Sequence, residues 1–227
     1  MTLLLIDTSS RTLSIAISKD GKVLSYSNTY MQRMMNHKII PLIDTQLKKH
    51  NLRIQDIDAF AIGRGPGAFT SLRVGMATIK GLAFALNKPV IACMSLDAIA
   101  FNVKQSFTNL CVVVDAKRQL VYSAFYKKEN GIITLNSDYK LSSIKEVVTQ
   151  APKDTLFIGD GAIVFADDIS VKFTIIDKEK LYTPQAKNFV GFATKVANSK
   201  GYDDVDSLEL LYLYPDDCQV NKVTVNK

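Results

Sequence analysis

The order of the patterned segments constrains this chain more than any single residue does. Leu3–Asp7 is a short apolar run, and Thr12–Ser18 alternates, with Leu13, Ile15 and Ile17 on one side. Asp20-Gly21 is a turn pair that supplies positive φ, so Lys22–Thr29 returns as a third strand. The period then changes. Over Asn36–Lys49, Ile39, Ile40, Ile43 and Leu47 share one helical face, and Pro41 lies near the start, where a proline costs least. Ala59–Gly63 reads as a strand. Thr70–Leu86 reads as a helix with Leu72, Met76, Ile79, Ala83 and Leu86 on one face. Val90–Cys93 is a buried strand, followed by a helix capped by Ser95. The order is β-β-β-α-β-α-β.

The second half follows the same outline. Leu110–Asp115 and Leu120–Tyr126 form a hairpin pattern, and Asn130-Gly131 introduces a third strand, Ile132–Asn136. Ser143 and Glu146 have capping-box spacing for a short helix, and Leu156–Gly159 and Phe173–Ile176 read as strands. Thr183-Pro184 supplies an N-cap and a first-turn proline for a helix ending at Gly201. The element order repeats without a repeat of sequence. Two such units, packed face to face, define an α/β fold of the bilobal actin-like (ribonuclease H-like) type. Each lobe is a β-β-β-α-β unit, the second reduced, and the expected division is residues 1–104 and 105–227.

Composition sets the outer limits. A chain of 227 residues with 47% hydrophobic and 22% charged residues can bury a core without staples, which excludes bulk disorder. Apolar runs such as Leu110–Val114 are far shorter than the roughly 20 residues of a membrane span. Asp7 inside the first strand is unlike a signal peptide, so a cytoplasmic location with no membrane contact is expected. Cys93, Cys111 and Cys218 are scattered and odd in number, which argues against a disulfide framework or a cysteine metal cluster. A net charge of +6, without a basic stripe or interleaved aromatics, gives poor support to a stand-alone nucleic-acid-binding module.

Two segments have the form of ligand loops. Asp7-Thr8-Ser9-Ser10 joins the first two strands, where actin-like kinases place amides that cradle phosphate, but the glycine of such loops is missing. The competing reading is an Asx- or Ser-type turn that only closes the hairpin. Gly63-Arg64-Gly65-Pro66-Gly67 lies between a strand and a helix, and Thr70 and Ser71 add hydroxyls at the helix N-terminus. No Walker lysine follows it. Asp7, Ser9, Arg64, Gly65, Gly67 and Thr70 are the candidates for nucleotide or anion contact; the loop serves equally well as a tight connection without a ligand.

Catalytic parts are scarce. His37 and His50 are the only histidines, no HExxH or Gly-x-Ser-x-Gly pattern occurs, and Asp115-Ala116-Lys117-Arg118 is a glycine-free charged turn. No catalytic residue and no metal ligand is therefore assigned. The helices offer something else. Gly75 and Gly81 each cost about 1 kcal/mol inside a helix, and their expected use is close approach of another backbone. Met34, Met35 and Leu42 around the first helix, and Val74 and Leu82 on the second, are apolar beyond the core-facing side. Met35, Leu42, Val74, Gly75 and Leu82 are the candidate partner interface.

These stretches together resemble the TsaB (YeaZ) family of tRNA threonylcarbamoyladenosine biosynthesis. The carriers are Ile6-Asp7-Thr8-Ser9, the long Gly63–Gly75 signature, Lys80–Leu86 followed by Pro89, and Val114-Asp115-Ala116-Lys117-Arg118 with Val121-Tyr122. Gly159-Asp160-Gly161-Ala162 is a weaker match. Ser71 stands where the family usually has glycine, and Tyr214 replaces the usual arginine after Leu211-Tyr212-Leu213.

The resemblance implies a non-catalytic assembly partner of TsaD, the paralogue that binds ATP and metal and completes threonylcarbamoyl transfer beside the anticodon. The region matching TsaD's metal-binding histidine pair reads Cys93-Met94-Ser95-Leu96-Asp97-Ala98, without histidine. It further implies TsaE as a joining partner, and a functional link to TsaC and tRNA. Alone, the chain would form a homodimer through the two helices, in competition with TsaD. No cofactor is expected on the isolated chain, with ATP or ADP entering only in the complex. The alternative is a working actin-like ATPase or kinase, or a glycoprotease-like enzyme; the missing phosphate-loop glycines and histidine pair count against both.

Overall fold

A computed structural model describes residues 1–31 and 35–214, excepting the side chains of Met35 and Asn36. The first lobe contains β1 (Thr2–Asp7), β2 (Thr12–Lys19), β3 (Lys22–Tyr30), α1 (Met35–Lys48), β4 (Ala59–Gly63), α2 (Phe69–Leu86), β5 (Val90–Cys93) and α3 (Ser95–Ala100). Asp20 at φ 49° and Gly21 at φ 75° make the β2–β3 turn, as the Asp-Gly pair requires. The second lobe contains β6 (Asn109–Lys117), β7 (Leu120–Glu129), β8 (Ile132–Leu135), β9 (Lys140–Ser143), α4 (Ile144–Gln150), β10 (Thr155–Ile158), α5 (Asp160–Val164), α6 (Ala166–Ser170) and β11 (Thr174–Ile175). A final helix, α7, spans Val190–Asn198.

The two sheets share one plan. Their strand orders are β3-β2-β1-β4-β5 and β8-β7-β6-β10-β11. β1 is antiparallel to β2 and parallel to β4, and β6 is likewise antiparallel to β7 and parallel to β10. The second sheet adds β9, which shares an edge of β7 with β8.

Burial follows from the pleat. Along β1, Leu4 and Ile6 face α1 and α2, with Ile39, Ile43, Met76 and Ile79. Leu3 and Leu5 face the other way, against Phe189, Ala193 and Ala197. Both faces of the first sheet are thus covered, which is why its central strands read as continuous apolar runs. Helix α3 lies between the sheets. Its Ala98 packs on the first, while Leu96, Ile99 and Ala100 pack with Leu110, Val112 and Tyr126 of the second.

Three expectations need correction. Ser95 does not cap α3: Met94 is the N-cap, and the Ser95 hydroxyl is used elsewhere. The segment after Thr183-Pro184 first makes a 3-10 turn over Ala186–Phe189 and becomes α-helical only at Val190. A boundary at residue 104 separates the two sheets, but residues 186–208 return to the first one. Asp203 pairs with Val90 and accepts from the Ala92 amide at 2.7 Å, and Leu208 enters the core with α1 and α2.

Candidate functional site

Strand β1 ends at Asp7, and β4 runs parallel beside it into the glycine loop, so the two ligand-type segments meet at one sheet edge. Asp7 is buried. One carboxylate oxygen accepts from the Ser9 amide at 2.8 Å and the Ser9 hydroxyl at 2.7 Å. The other accepts from the Ser95 hydroxyl at 2.7 Å. The Ser95 oxygen in turn takes the Gly65 amide at 3.2 Å. Burial pushes the Asp7 carboxyl above its usual range, while the serine hydrogen bonds pull the other way.

The glycines fit this cluster by close approach. A Cβ on Gly63 would lie 1.9 Å from the Asp7 carboxylate, and one on Gly67 would lie 2.2 Å from the Ser9 carbonyl. That carbonyl also accepts the Ala68 amide at 2.7 Å. The loop and turn therefore seal against each other. A phosphate between them does not fit: the backbones are in contact, and the oxygens lining the gap are a carboxylate and a carbonyl. Asp7, Ser9, Gly65 and Gly67 come together, but as one internal hydrogen-bonded knot. Thr70 is exposed on the first turn of α2, away from the knot's bonds. Arg64 holds the loop by its backbone, its amide on the Cys93 carbonyl at 2.8 Å and its carbonyl on the Leu211 amide at 2.9 Å.

The helix pair is the second candidate surface. Leu42, Val74 and Leu82 are half-buried and pack on the edge of the first core. A cleft of about 370 Å³ opens there, lined by Ile40, Ile43, Leu47, Leu52, Ile54 and Leu82 among others. Ile40 is 49% exposed and Phe84 83% exposed, more apolar surface than a sheet-covering pair needs. By length and composition α2 could cross a bilayer, but its Leu72, Gly75, Met76, Ile79 and Ala83 are buried, as in a helix seated on a sheet. Gly75 does not offer flat ground for a partner. It faces inward, where a Cβ would lie 2.2 Å from the Thr8 hydroxyl. Gly81 is the outward glycine, with nothing within 4 Å. The side chain of Met35, and Met34 altogether, lie outside the described residues.

Several participants were hidden in the sequence. Ser95 had the look of a cap, and only the parallel pairing of β4 with β5 brings it to Asp7. Asp97 accepts from the Tyr126 and Tyr139 hydroxyls, each at 2.8 Å, tying α3 to the second sheet. Leu211–Tyr214 straps the glycine loop to the second lobe, where the Tyr214 hydroxyl donates to the Ala116 carbonyl at 2.7 Å. The expected hairpin Asp115–Arg118 is there, with Asp115 paired to Lys117 and its amide bonded to Asp160 at 3.0 Å. Among the described residues, no group of three or more His, Cys, Asp and Glu is placed to hold a metal.

Two sheets of one strand order, joined by α3, with a first turn filled by the chain's own side chains, define an actin-like two-lobed protein. Residues 29–213 match the family described as "TsaD: tRNA N6-adenosine threonylcarbamoyltransferase", and the chain belongs to that family, in its TsaB (YeaZ) branch. It is 27% identical over 219 residues to the tRNA threonylcarbamoyladenosine biosynthesis protein TsaB of Escherichia coli, covering 94% of each chain. It is 29% identical over 162 residues to the same-named protein of Bacillus subtilis, covering 70% of this chain and 71% of that one. The solved structure of YeaZ from Pseudomonas aeruginosa superposes with a TM-score of 0.83 at 25% identity, covering 93% of this chain and 99% of that one.

Proposed function

We propose that this chain serves tRNA threonylcarbamoyladenosine biosynthesis as a non-catalytic subunit that assembles with a TsaD-type transferase. The role in that biosynthesis follows the family. The observation that carries the non-catalytic part is the sealed knot of Asp7, Ser9, Gly65 and Ser95 at the position where an actin-like enzyme would hold phosphate. A turn whose carboxylate is buried and bonded on both oxygens within the fold is turned away from a nucleotide-bound cation or water.

The half-buried apolar face of α1 and α2 supports an assembly role, with Leu42, Val74 and Leu82 as its contact residues. In this reading the chain pairs with itself through that face when alone and with the transferase when present. TsaE joins the resulting complex, any ATP or ADP is held there rather than by this chain alone, and the site of action is the cytoplasm.

The experiment is reconstitution. With TsaC, TsaD, TsaE, tRNA, threonine, bicarbonate and ATP, modified adenosine should form only when this chain is added. The chain alone should turn over no ATP. Full modification without it would remove the proposal.

A further inference from the structure

At the end of α2 nearest the glycine loop, Phe69 and Arg73, one helical turn apart, form one exposed stack with the distant Tyr212. The Arg73 guanidinium lies 3.7 Å from the centre of the Phe69 ring and 5.8 Å from that of Tyr212. Its Nε donates to the Tyr212 hydroxyl at 3.0 Å, and the two rings are 5.2 Å apart. Phe69 is 51% exposed and Tyr212 45%. Two aromatic rings and a guanidinium are thus held ready at the surface rather than buried for stability.

One exposed cation lies close by in the chain. Arg11 is exposed two residues beyond Ser9, whose carbonyl holds the Ala68 amide directly before Phe69. The strap that carries Tyr212 continues to Tyr214, which bonds the backbone at Ala116 beside Lys117 and Arg118. Of these, Lys117 is paired with Asp115.

We propose that Phe69, Arg73 and Tyr212 form a stacking platform for unpaired bases of an RNA loop, with Arg11 as the nearby exposed cation for its phosphates. Exposed aromatics interleaved with arginine are how proteins hold single-stranded nucleic acid, because every base offers a face to stack on. The identity of the RNA as tRNA rests on the biosynthetic role proposed above; the platform itself rests on the geometry. The sequence hides it, since 139 residues separate Arg73 from Tyr212.

The test is fluorescence anisotropy of the full chain with a labelled tRNA anticodon stem-loop, and with a blunt RNA duplex of equal length. The stem-loop should bind more tightly, with an affinity that falls as salt rises. Tyr212→Ala and Arg73→Ala should each weaken stem-loop binding by about tenfold, and Tyr212→Phe, which keeps the ring, should largely retain it. Thermal melts confirm that each variant is folded. Absence of binding, equal binding of the duplex, or unchanged affinity in both alanine variants overturns the proposal. So does the outcome in which RNA binding holds while capture of the TsaD-type transferase falls, which makes the stack a protein contact. If the chain proves dispensable for modification yet loses stem-loop binding on Tyr212→Ala, the biosynthetic reading fails and the platform stands.

Discussion

The two lobes end their first strand in opposite ways, though their sheets are wired alike. In the first lobe the β1–β2 turn is drawn inward, and Asp7 is clamped by Ser9 and Ser95. In the second lobe the β6–β7 turn stands out, and Lys117, Arg118 and Gln119 take three successive left-handed conformations at φ 68°, 53° and 62°. Both lobes place a glycine at the end of the parallel strand that follows, the last residue of β4 and the first after β10. Gly63 sits against the Asp7 carboxylate, and Gly159 against the Val113 carbonyl. The helices differ most. The 18-residue α2 of the first lobe is answered in the second by α5 and α6, of five residues each. A shared topology has kept its close-packed glycines in both copies, while only one copy retains a helix long enough to present a face.

The comparison can be broken at the glycines, where the largest effects are expected. Gly159→Ala puts a Cβ 2.0 Å from a backbone carbonyl at φ +115°, and should cost about 3 kcal/mol or prevent folding. Gly63→Ala meets a side chain instead, and should cost about 2 kcal/mol. Denaturant midpoints rank the two, and equal small losses would contradict the packing account.

Next come the acids. Asp7→Ala leaves the Ser9 amide, the Ser9 hydroxyl and the Ser95 hydroxyl without their acceptor, so a loss of about 2 kcal/mol is expected. Asp115→Ala removes the pairing to Lys117 and the acceptor of the Lys117 amide at an outward turn, and should cost about 1 kcal/mol. A larger loss at Asp115 would reverse the assignment of which turn is structural.

Acidification sharpens the same contrast. The Asp7 carboxyl is raised by burial, so the folded state holds its proton more tightly than the unfolded state does. Ionisation therefore lowers stability as pH climbs from the unfolded carboxylate range through the folded value, and acid relieves that cost. Denaturation of Asp7→Asn beside the unsubstituted chain should show a stability difference that changes across this window, and a constant difference would refute it. The smallest effect is Gly81→Ala, with open space around it, which should stabilise α2 by about 0.5 kcal/mol in a thermal melt.

Much of the fold was legible because local chemistry and topology agree. Asp20-Gly21 and Asn130-Gly131 make their turns, Ser143 and Glu146 make a reciprocal capping box, and the apolar stripe of α2 is the one buried. What escaped depends on long-range pairing. Ser95 reads as a cap until β4 and β5 align it with Asp7. The return of residues 186–208 to the first sheet carries no local mark, because Ala186, Ala193 and Ala197 suit either sheet. Gly75 and Gly81 look equivalent in sequence, yet one meets Thr8 and the other open space.

The central claim is that the chain acts by assembly through α1 and α2. Leu82 of α2 lies half-buried at the rim of the cleft formed by α1 and residues 52–55, where an arginine can keep its head in water and leave the fold intact. At a packed interface the same charge would be desolvated without a partner, at a cost of several kcal/mol of association. Size-exclusion chromatography of Leu82→Arg with the TsaD-type transferase tests this directly. The account predicts a folded chain that no longer co-elutes with the transferase and no longer supports modification. A folded Leu82→Arg chain that co-elutes as well as the unsubstituted one would contradict it.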